Sequence, residues 1–213
     1  MIALILKAVA AYLLGSLNGG LIVGRLRGVD IRRMGSGNAG GTNALRTQGK
    51  VFAFWVLLID IGKGWLATAV LASASSPVVA AHGSAWPLAA CGIAVMFGHV
   101  YPVWYGFRGG KGVATLVGAV LGAAPLLLLP MLAVWFLTVV LTGYVGLGSI
   151  LGALAFALAA AVRSETRAGL LAFATLAATL VVYTHRSNIA RMLAGTEPRA
   201  RRLWLLGTRA RSS

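Results

Sequence analysis

The chain has 213 residues, 59% of them hydrophobic and only 11% charged, with a mean hydropathy of +0.85. That composition excludes a soluble globular domain and describes an integral membrane protein. A net charge of +15 would suggest nucleic acid in a soluble chain, but here the basic residues cluster at the ends of apolar spans, where membrane topology calls for them, so no nucleic-acid partner is expected.

Apolar stretches run in chain order from about Ile2 to Val23, Val51 to Leu71, Ala85 to Pro102, Gly112 to Val162 and Ala168 to Thr184. A span needs roughly 20 apolar residues, so the fourth stretch is too long for one helix. Pro125, Pro130 and the Gly143–Gly148 segment divide it into three short spans, with turns near Ala124 and over Thr142–Gly148. The expectation is an all-α integral membrane protein of about seven transmembrane helices, one domain over residues 1–213 with a basic tail from 196 to 213. The first apolar segment has no small-residue cleavage site and is expected to be retained as a helix. Cys91, the single cysteine, reads as a small core residue of a span.

Charge orients the spans. One face collects Arg25, Arg27, Arg32, Arg33, Arg46, Lys50, Arg108, Lys111, Arg186, Arg191, Arg199, Arg201, Arg202, Arg209 and Arg211, while the other has Arg163 and Arg167. The positive-inside rule then places the N-terminus outside and the C-terminus in the cytoplasm, with the active face cytoplasmic in the cell (inner or plasma) membrane. Lys7 and Lys63, in or near spans, are expected to snorkel or face the bundle without a catalytic role. His82 is expected in an external loop exposed to solvent. His99, at the end of the third span, is read as structural, stabilising the loop that leads to Lys111.

Polar, glycine-rich and basic clusters interrupt the apolar runs at Gly35-Ser-Gly-Asn-Ala-Gly-Gly-Thr-Asn43, Gly109-Gly-Lys-Gly112 and His185-Arg-Ser-Asn-Ile-Ala-Arg191. Bare amides and fixed cations suit a phosphate. The first cluster contains Gly35-x-Gly37-x-x-Gly40, but no strand precedes it, so a dinucleotide-binding fold is excluded. Gly37, Gly40 and Gly41 allow close backbone approach, and Ser36, Asn38, Thr42 and Asn43 add hydrogen-bonding groups; the bland alternative is a flexible connector. The second cluster opens an apolar helix, bringing amides and Lys111 to a helix N-terminus, against the alternative of a tight turn with a topological lysine. It lacks the Walker A spacing. In the third, helical spacing puts His185 and Asn188 on one face.

Absences narrow the chemistry. The acids Asp30, Asp60, Glu165 and Glu197 are widely separated, so no metal site and no cofactor are expected. No His-x4-Asp dyad and no Gly-x-Ser-x-Gly elbow occurs. On the residues alone, a membrane enzyme and a transporter for a phosphorylated anionic solute stand level.

Taken together, the clusters resemble the bacterial acyl-phosphate:glycerol-3-phosphate acyltransferases. The resemblance rests on Gly15-Ser16 with the 35–43 cluster, on Gly98-His-Val-Tyr-Pro-Val-Trp-Tyr-Gly-Phe-Arg-Gly-Gly-Lys-Gly-Val-Ala-Thr115, and on His185-Arg-Ser-Asn-Ile-Ala-Arg-Met-Leu-Ala-Gly-Thr-Glu197. It implies transfer of an acyl group from an acyl phosphate to the 1-hydroxyl of sn-glycerol 3-phosphate, giving lysophosphatidic acid and phosphate, the first acylation of phospholipid synthesis. Ser36, Gly37, Asn38, Thr42 and Asn43 with Gly109, Gly110, Lys111 and Gly112 are then expected at the acyl-phosphate head, with the acyl chain between helices in contact with membrane lipid. Arg46, Lys111, Ser149, His185 and Asn188 are expected to grip glycerol 3-phosphate, and Ser36, His185 and Asn188 to act on the reacting groups. A soluble enzyme that makes acyl phosphate is a candidate supplier. Two positions depart from the family pattern, Asn18 where proline is usual and Gly41 where alanine is commoner. They bear on the kink of the first helix and the stiffness of the first loop, not on the reaction class.

Overall fold

The structure, a computed structural model, describes residues 1–72, 86–163, 168–200 and 203–205. His82, Glu165, Arg167, Arg201, Arg202, Arg209 and Arg211 lie outside the described residues. Within them all regular structure is helical: α1 Ile2–Gly15, α2 Gly19–Leu26, α3 Gly41–Gln48, α4 Lys50–Trp65, α5 Trp86–Val100, α6 Val113–Ala123, α7 Leu128–Thr142, α8 Val145–Val162, α9 Ala168–Thr184 and α10 Arg186–Leu193. A π-helical turn, Leu66–Leu71, prolongs α4.

The first expected span is broken. Asn18 ends the run by capping α2, its side chain accepting from the Leu21 amide at 3.2 Å, and α1 and α2 meet at a bend of 42°. The long apolar stretch does divide into three helices, α6, α7 and α8, with breaks at Ala124 and at Gly143–Tyr144. The second break is shorter than the sequence suggests. Gly143 alone, at φ 78°, terminates α7, so Val145–Gly148 are already helical and Ser149 lies inside α8 instead of in a turn. Pro130 falls in the first turn of α7, where its missing N–H breaks no bond.

By length and composition four segments can cross a membrane: Lys50–Leu71, Trp86–Tyr105, Pro125–Thr142 and Val145–Val162. Counting the bent pairs α1/α2 and α9/α10 as single spans raises the number to six. With 11 residues, α6 is the segment on which a seventh depends. Only 17% of the window in Pro125–Thr142 is buried inside the protein, so α7 turns most of its apolar surface to lipid.

The chain divides into two compact units, Met1–Pro125 with Arg167–Phe173, and Leu126–Thr166 with Ala174–Ser213. In the first, small residues let helices approach backbone to backbone, the usual way apolar helices associate where lipid gives no hydrophobic drive. A Cβ on Gly98 would strike the Tyr12 carbonyl of α1, and one on Gly15 the Val95 carbonyl of α5. Gly64 and Gly118 make the same contact between α4 and α6, against the Thr115 and Ile61 carbonyls. In the second unit, α7 and α8 pack at Gly148 and Gly152, against Val139, Trp135 and Met131.

This packing sets up a paired test by denaturant unfolding in detergent. Gly98→Ala is expected to lose about 1–3 kcal/mol by forcing α1 from α5. Gly62→Ala, with nothing within 4 Å of its added methyl, is expected to stay within about 0.5 kcal/mol of the parent protein or gain slightly.

Candidate active site

The first glycine cluster is a loop followed by a helix. Residues 35–40 form the loop, and Gly41, Thr42, Asn43 and Arg46 belong to α3, so the phosphate-cradle reading of Gly41–Asn43 as loop is corrected to a helix N-terminus. Gly40 caps α3 without a side-chain hydrogen bond, leaving the first amides to water or an anion.

Asn43 organises the loop. Its Nδ2 donates to the carbonyls of Ile31, Met34 and Asn38 at 2.9–3.0 Å, and its Oδ1 accepts from the Ser36 amide at 2.9 Å. The side chain is 1% exposed and both ends of its amide are engaged, so it shapes the loop. Gly35 is glycine because a Cβ there would meet the Asn43 Oδ1, at a φ of 57° that a side chain rarely adopts. Ser36, Thr42 and Arg46 are exposed, and Asn38 is half-buried.

The second cluster lies in the same unit. Lys111 is half-buried, and Gly112, at φ 85°, caps α6 without a side-chain bond. Arg32 ties the two cluster regions together: its Nη1 donates to the carbonyls of Tyr105 and Arg108 at 3.2 and 3.0 Å, while Nε and Nη2 grip Asp30. That hydrogen bond holds the Asp30 carboxyl below its ordinary value, so the pair's contribution is present above the usual carboxylate range and is lost only as pH falls through the lowered value.

His99, Asp60 and Lys63 form a buried polar cluster that the sequence reading missed. Lys63 Nζ lies 2.9 Å from Asp60 Oδ1 and 3.0 Å from His99 Nδ1, and His99 Nδ1 lies 3.2 Å from Asp60 Oδ1. Lys63 faces the bundle, as expected of it, and does not snorkel. The i, i+3 spacing of Asp60 and Lys63 inside an apolar helix was the available signal.

The third cluster lies in the second unit. His185 is 3% exposed, and its Nδ1 is 2.8 Å from the Val181 carbonyl. A carbonyl only accepts, so Nδ1 carries a proton and donates it to Val181. Asn188 Nδ2 donates to Glu197 Oε1 at 2.6 Å, and Arg191 Nε donates to Glu197 Oε2 at 2.7 Å. Glu197 therefore fixes which way the Asn188 amide points, a partnership that the apparent dispersal of the acids concealed. Gly146 on α8 lies against Asn188, where a Cβ would come within 2.8 Å of its Nδ2. Ser149, three residues on, is buried and donates back to the Val145 carbonyl at 2.9 Å. The start of the tail folds back: Arg199 stacks on Tyr144 and Trp204, and the Ala200 amide donates to the Gly143 carbonyl at 2.7 Å.

Among the described residues no group of three potential metal ligands occurs. The acids Asp30, Asp60 and Glu197 are each held in an ion pair, with Arg32, Lys63 and Arg191.

Comparison with known proteins gives the site its context. A family model described as glycerol-3-phosphate acyltransferase matches residues 5–195. The glycerol-3-phosphate acyltransferase of Geobacter sulfurreducens is 44% identical, over 92% of this chain and 96% of its own, and that of Chlorobaculum parvum is 41% identical, over 89% and 93%. Crystal structures of PlsY, an integral membrane glycerol 3-phosphate acyltransferase, match at 36% identity over 92% of this chain and 94% of theirs. The TM-scores are 0.84 for its glycerol 3-phosphate form and 0.80 for its lysophosphatidic acid form. The chain belongs to the glycerol-3-phosphate acyltransferase family of integral membrane enzymes.

Proposed function

We propose that the protein transfers an acyl group from an acyl phosphate to the 1-hydroxyl of sn-glycerol 3-phosphate, releasing inorganic phosphate and lysophosphatidic acid. The observation that carries the choice of donor is the engagement in ion pairs of Asp30, Asp60 and Glu197, the acids among the described residues, with the Nδ1 of His185 at a backbone carbonyl. Among the described residues such a site offers cations, amides and an imidazole, with each carboxylate already held in an ion pair. It suits a mixed anhydride whose leaving group departs easily, because catalysis then asks mainly for orientation and charge stabilisation.

The Ser36 hydroxyl, the amides of Gly37, Asn38 and Thr42, and Gly109–Gly112 with Lys111 hold the acyl-phosphate head, while Asn43 positions that loop from beneath. Arg46 and Lys111 meet the phosphate of glycerol 3-phosphate, and Ser149, His185 and Asn188 orient its hydroxyls. The 1-hydroxyl oxygen attacks the acyl carbonyl carbon, the bond from that carbon to the phosphate oxygen breaks, and the hydroxyl proton ends on the released phosphate. Residues 1–213 act as one polytopic domain of seven spans, α6 included. The N-terminus lies outside, and the basic loops and tail lie on the cytoplasmic side of the inner or plasma membrane, an orientation supported by the arginine distribution. A soluble enzyme on that side supplies the acyl phosphate.

The direct test incubates purified protein in detergent with glycerol 3-phosphate and either palmitoyl phosphate or palmitoyl-CoA. Lysophosphatidic acid is expected from palmitoyl phosphate alone; product only from palmitoyl-CoA overturns the donor assignment. Lys111→Ala and His185→Ala are expected to lose about 10²–10⁴-fold in kcat/KM while unfolding like the parent, and parental turnover in both would sink the site. Asn43→Asp separates shaping from binding. It exchanges an amide donor for an acceptor facing three carbonyls, so it is expected to lower stability by about 1–3 kcal/mol along with activity; an activity loss with unchanged stability would make Asn43 a ligand-binding group.

A further inference from the structure

The Asp60–Lys63–His99 cluster has no assigned role with substrate, yet it is the most deeply buried set of ionisable side chains described, at 0%, 3% and 2% exposure. Its contacts run in two directions. Toward α1 and α2 it answers the helix break: Lys63 Nζ donates to the Gly15 and Leu17 carbonyls at 2.8 and 3.1 Å, and Asp60 Oδ1 accepts from the Gly19 amide at 3.0 Å. Toward the second glycine cluster it acts through His99. The His99 carbonyl accepts from the Gly110 amide at 3.1 Å and from Asn18 Nδ2 at 3.3 Å, and the Val100 carbonyl accepts from the Gly109 amide at 3.0 Å.

The His99 ring also fills the space beside Gly110. A Cβ there would collide with Nε2 and come within 3.0 Å of Cε1, and a Cβ on Gly109 would collide with the His99 carbonyl. The imidazole is clamped at Nδ1 by Asp60 and Lys63 whichever proton it carries. Both glycines preceding Lys111 are thus glycine because His99 lies against them.

We propose that Asp60, Lys63 and His99 are positioning residues of the acyltransferase: they hold the His99 ring and carbonyl as the platform on which Gly109 and Gly110 rest, and so set where Lys111 and the start of α6 meet the acyl phosphate. This rests on the reading of Gly109–Lys111 as the acyl-phosphate loop.

A double-mutant cycle tests it with a readout that general destabilisation does not move. His99→Asn places an amide nitrogen where Nδ1 stood, which keeps a donor to Asp60, and removes the ring edge that meets Gly110. Gly110→Ala alone is expected to cost at least about 30-fold in kcat/KM, mostly as a raised KM for palmitoyl phosphate, because the methyl displaces the ring. In the His99→Asn protein the same methyl finds room and is expected to cost less than about threefold. A second measurement needs no turnover and decides the matter where His99→Asn fails to fold. The rate at which a soluble acetylating reagent modifies Lys111, followed by mass spectrometry in the full-length protein, is expected to change at least about threefold on Asp60→Asn, because the loop loses its seat. Equal losses from Gly110→Ala in both backgrounds, or a Lys111 rate untouched by Asp60→Asn, overturn the positioning role. A parent protein that turns over no palmitoyl phosphate defeats the donor assignment instead, and the Lys111 rate still answers for the platform.

Discussion

The architecture depends on how a broken helix is tolerated in an apolar surrounding. Where α1 stops and α2 begins, the last carbonyls of one and the first amides of the other lose their helical partners, and in hydrocarbon each unsatisfied group costs several kcal/mol. The Lys63–Asp60 pair answers both ends with the matching sign: the ammonium takes the carbonyls of Gly15 and Leu17 and the carboxylate takes the amide of Gly19. Opposite ends of the macrodipole make the arrangement doubly favourable. Neither charge is tolerable without the other, since a lone buried ion costs about 3–5 kcal/mol when its partner is removed. The pair, the break and the bend therefore stand or fall together.

A similar economy shapes the loops. Each glycine cluster is held by one inward-facing side chain, Asn43 for the first and His99 for the second, and each makes glycine obligatory where it presses on the backbone, at Gly35 and at Gly109 and Gly110. Arg32 then joins the two regions through the Tyr105 and Arg108 carbonyls. Amides fixed in this way before substrate arrives need little reorganisation when charge develops on an anion, which is where preorganised dipoles contribute most. In the second unit Glu197 gives Asn188 its orientation in the same manner, through Oε1, while Arg191 balances its charge through Oε2.

Much of this was legible in the chain because hydropathy and charge act over long segments. The spans, their breaks near Ala124 and Gly143, and the helix opened by Gly112 follow from apolar runs and turn residues, and the family motifs carried the reaction class. Harder to read was anything that depends on which residues meet in space. Asp60 and Lys63, both on α4, looked like stray charges until α5 brought His99 to them. Glu197 looked isolated until the chain after α10 turned back on Arg191. Asn43 counted as a ligand-binding residue because a sequence shows an amide's capacity for hydrogen bonds but not that neighbouring carbonyls have already taken it. Asn18 stood out as bearing on a kink of the first helix, but the full break was not legible because the apolar run continues through it, and only the capping bond to Leu21 marks a new start.

The 11 residues of α6 rise about 17 Å, little more than half of a hydrocarbon layer about 30 Å thick, so the helix alone is too short to cross and the non-helical backbone at its ends must make up the rest of the span. Backbone at that depth survives only where protein surrounds it, and the two ends of α6 are the Gly112 turn and the Ala124 break. On the reaction proposed above, a donor whose tail stays dissolved among the lipids then meets Lys111, beside the Gly112 end, without being lifted from the bilayer. The work of extracting a long hydrocarbon chain into water, about 0.8 kcal/mol for every methylene, then never enters the reaction.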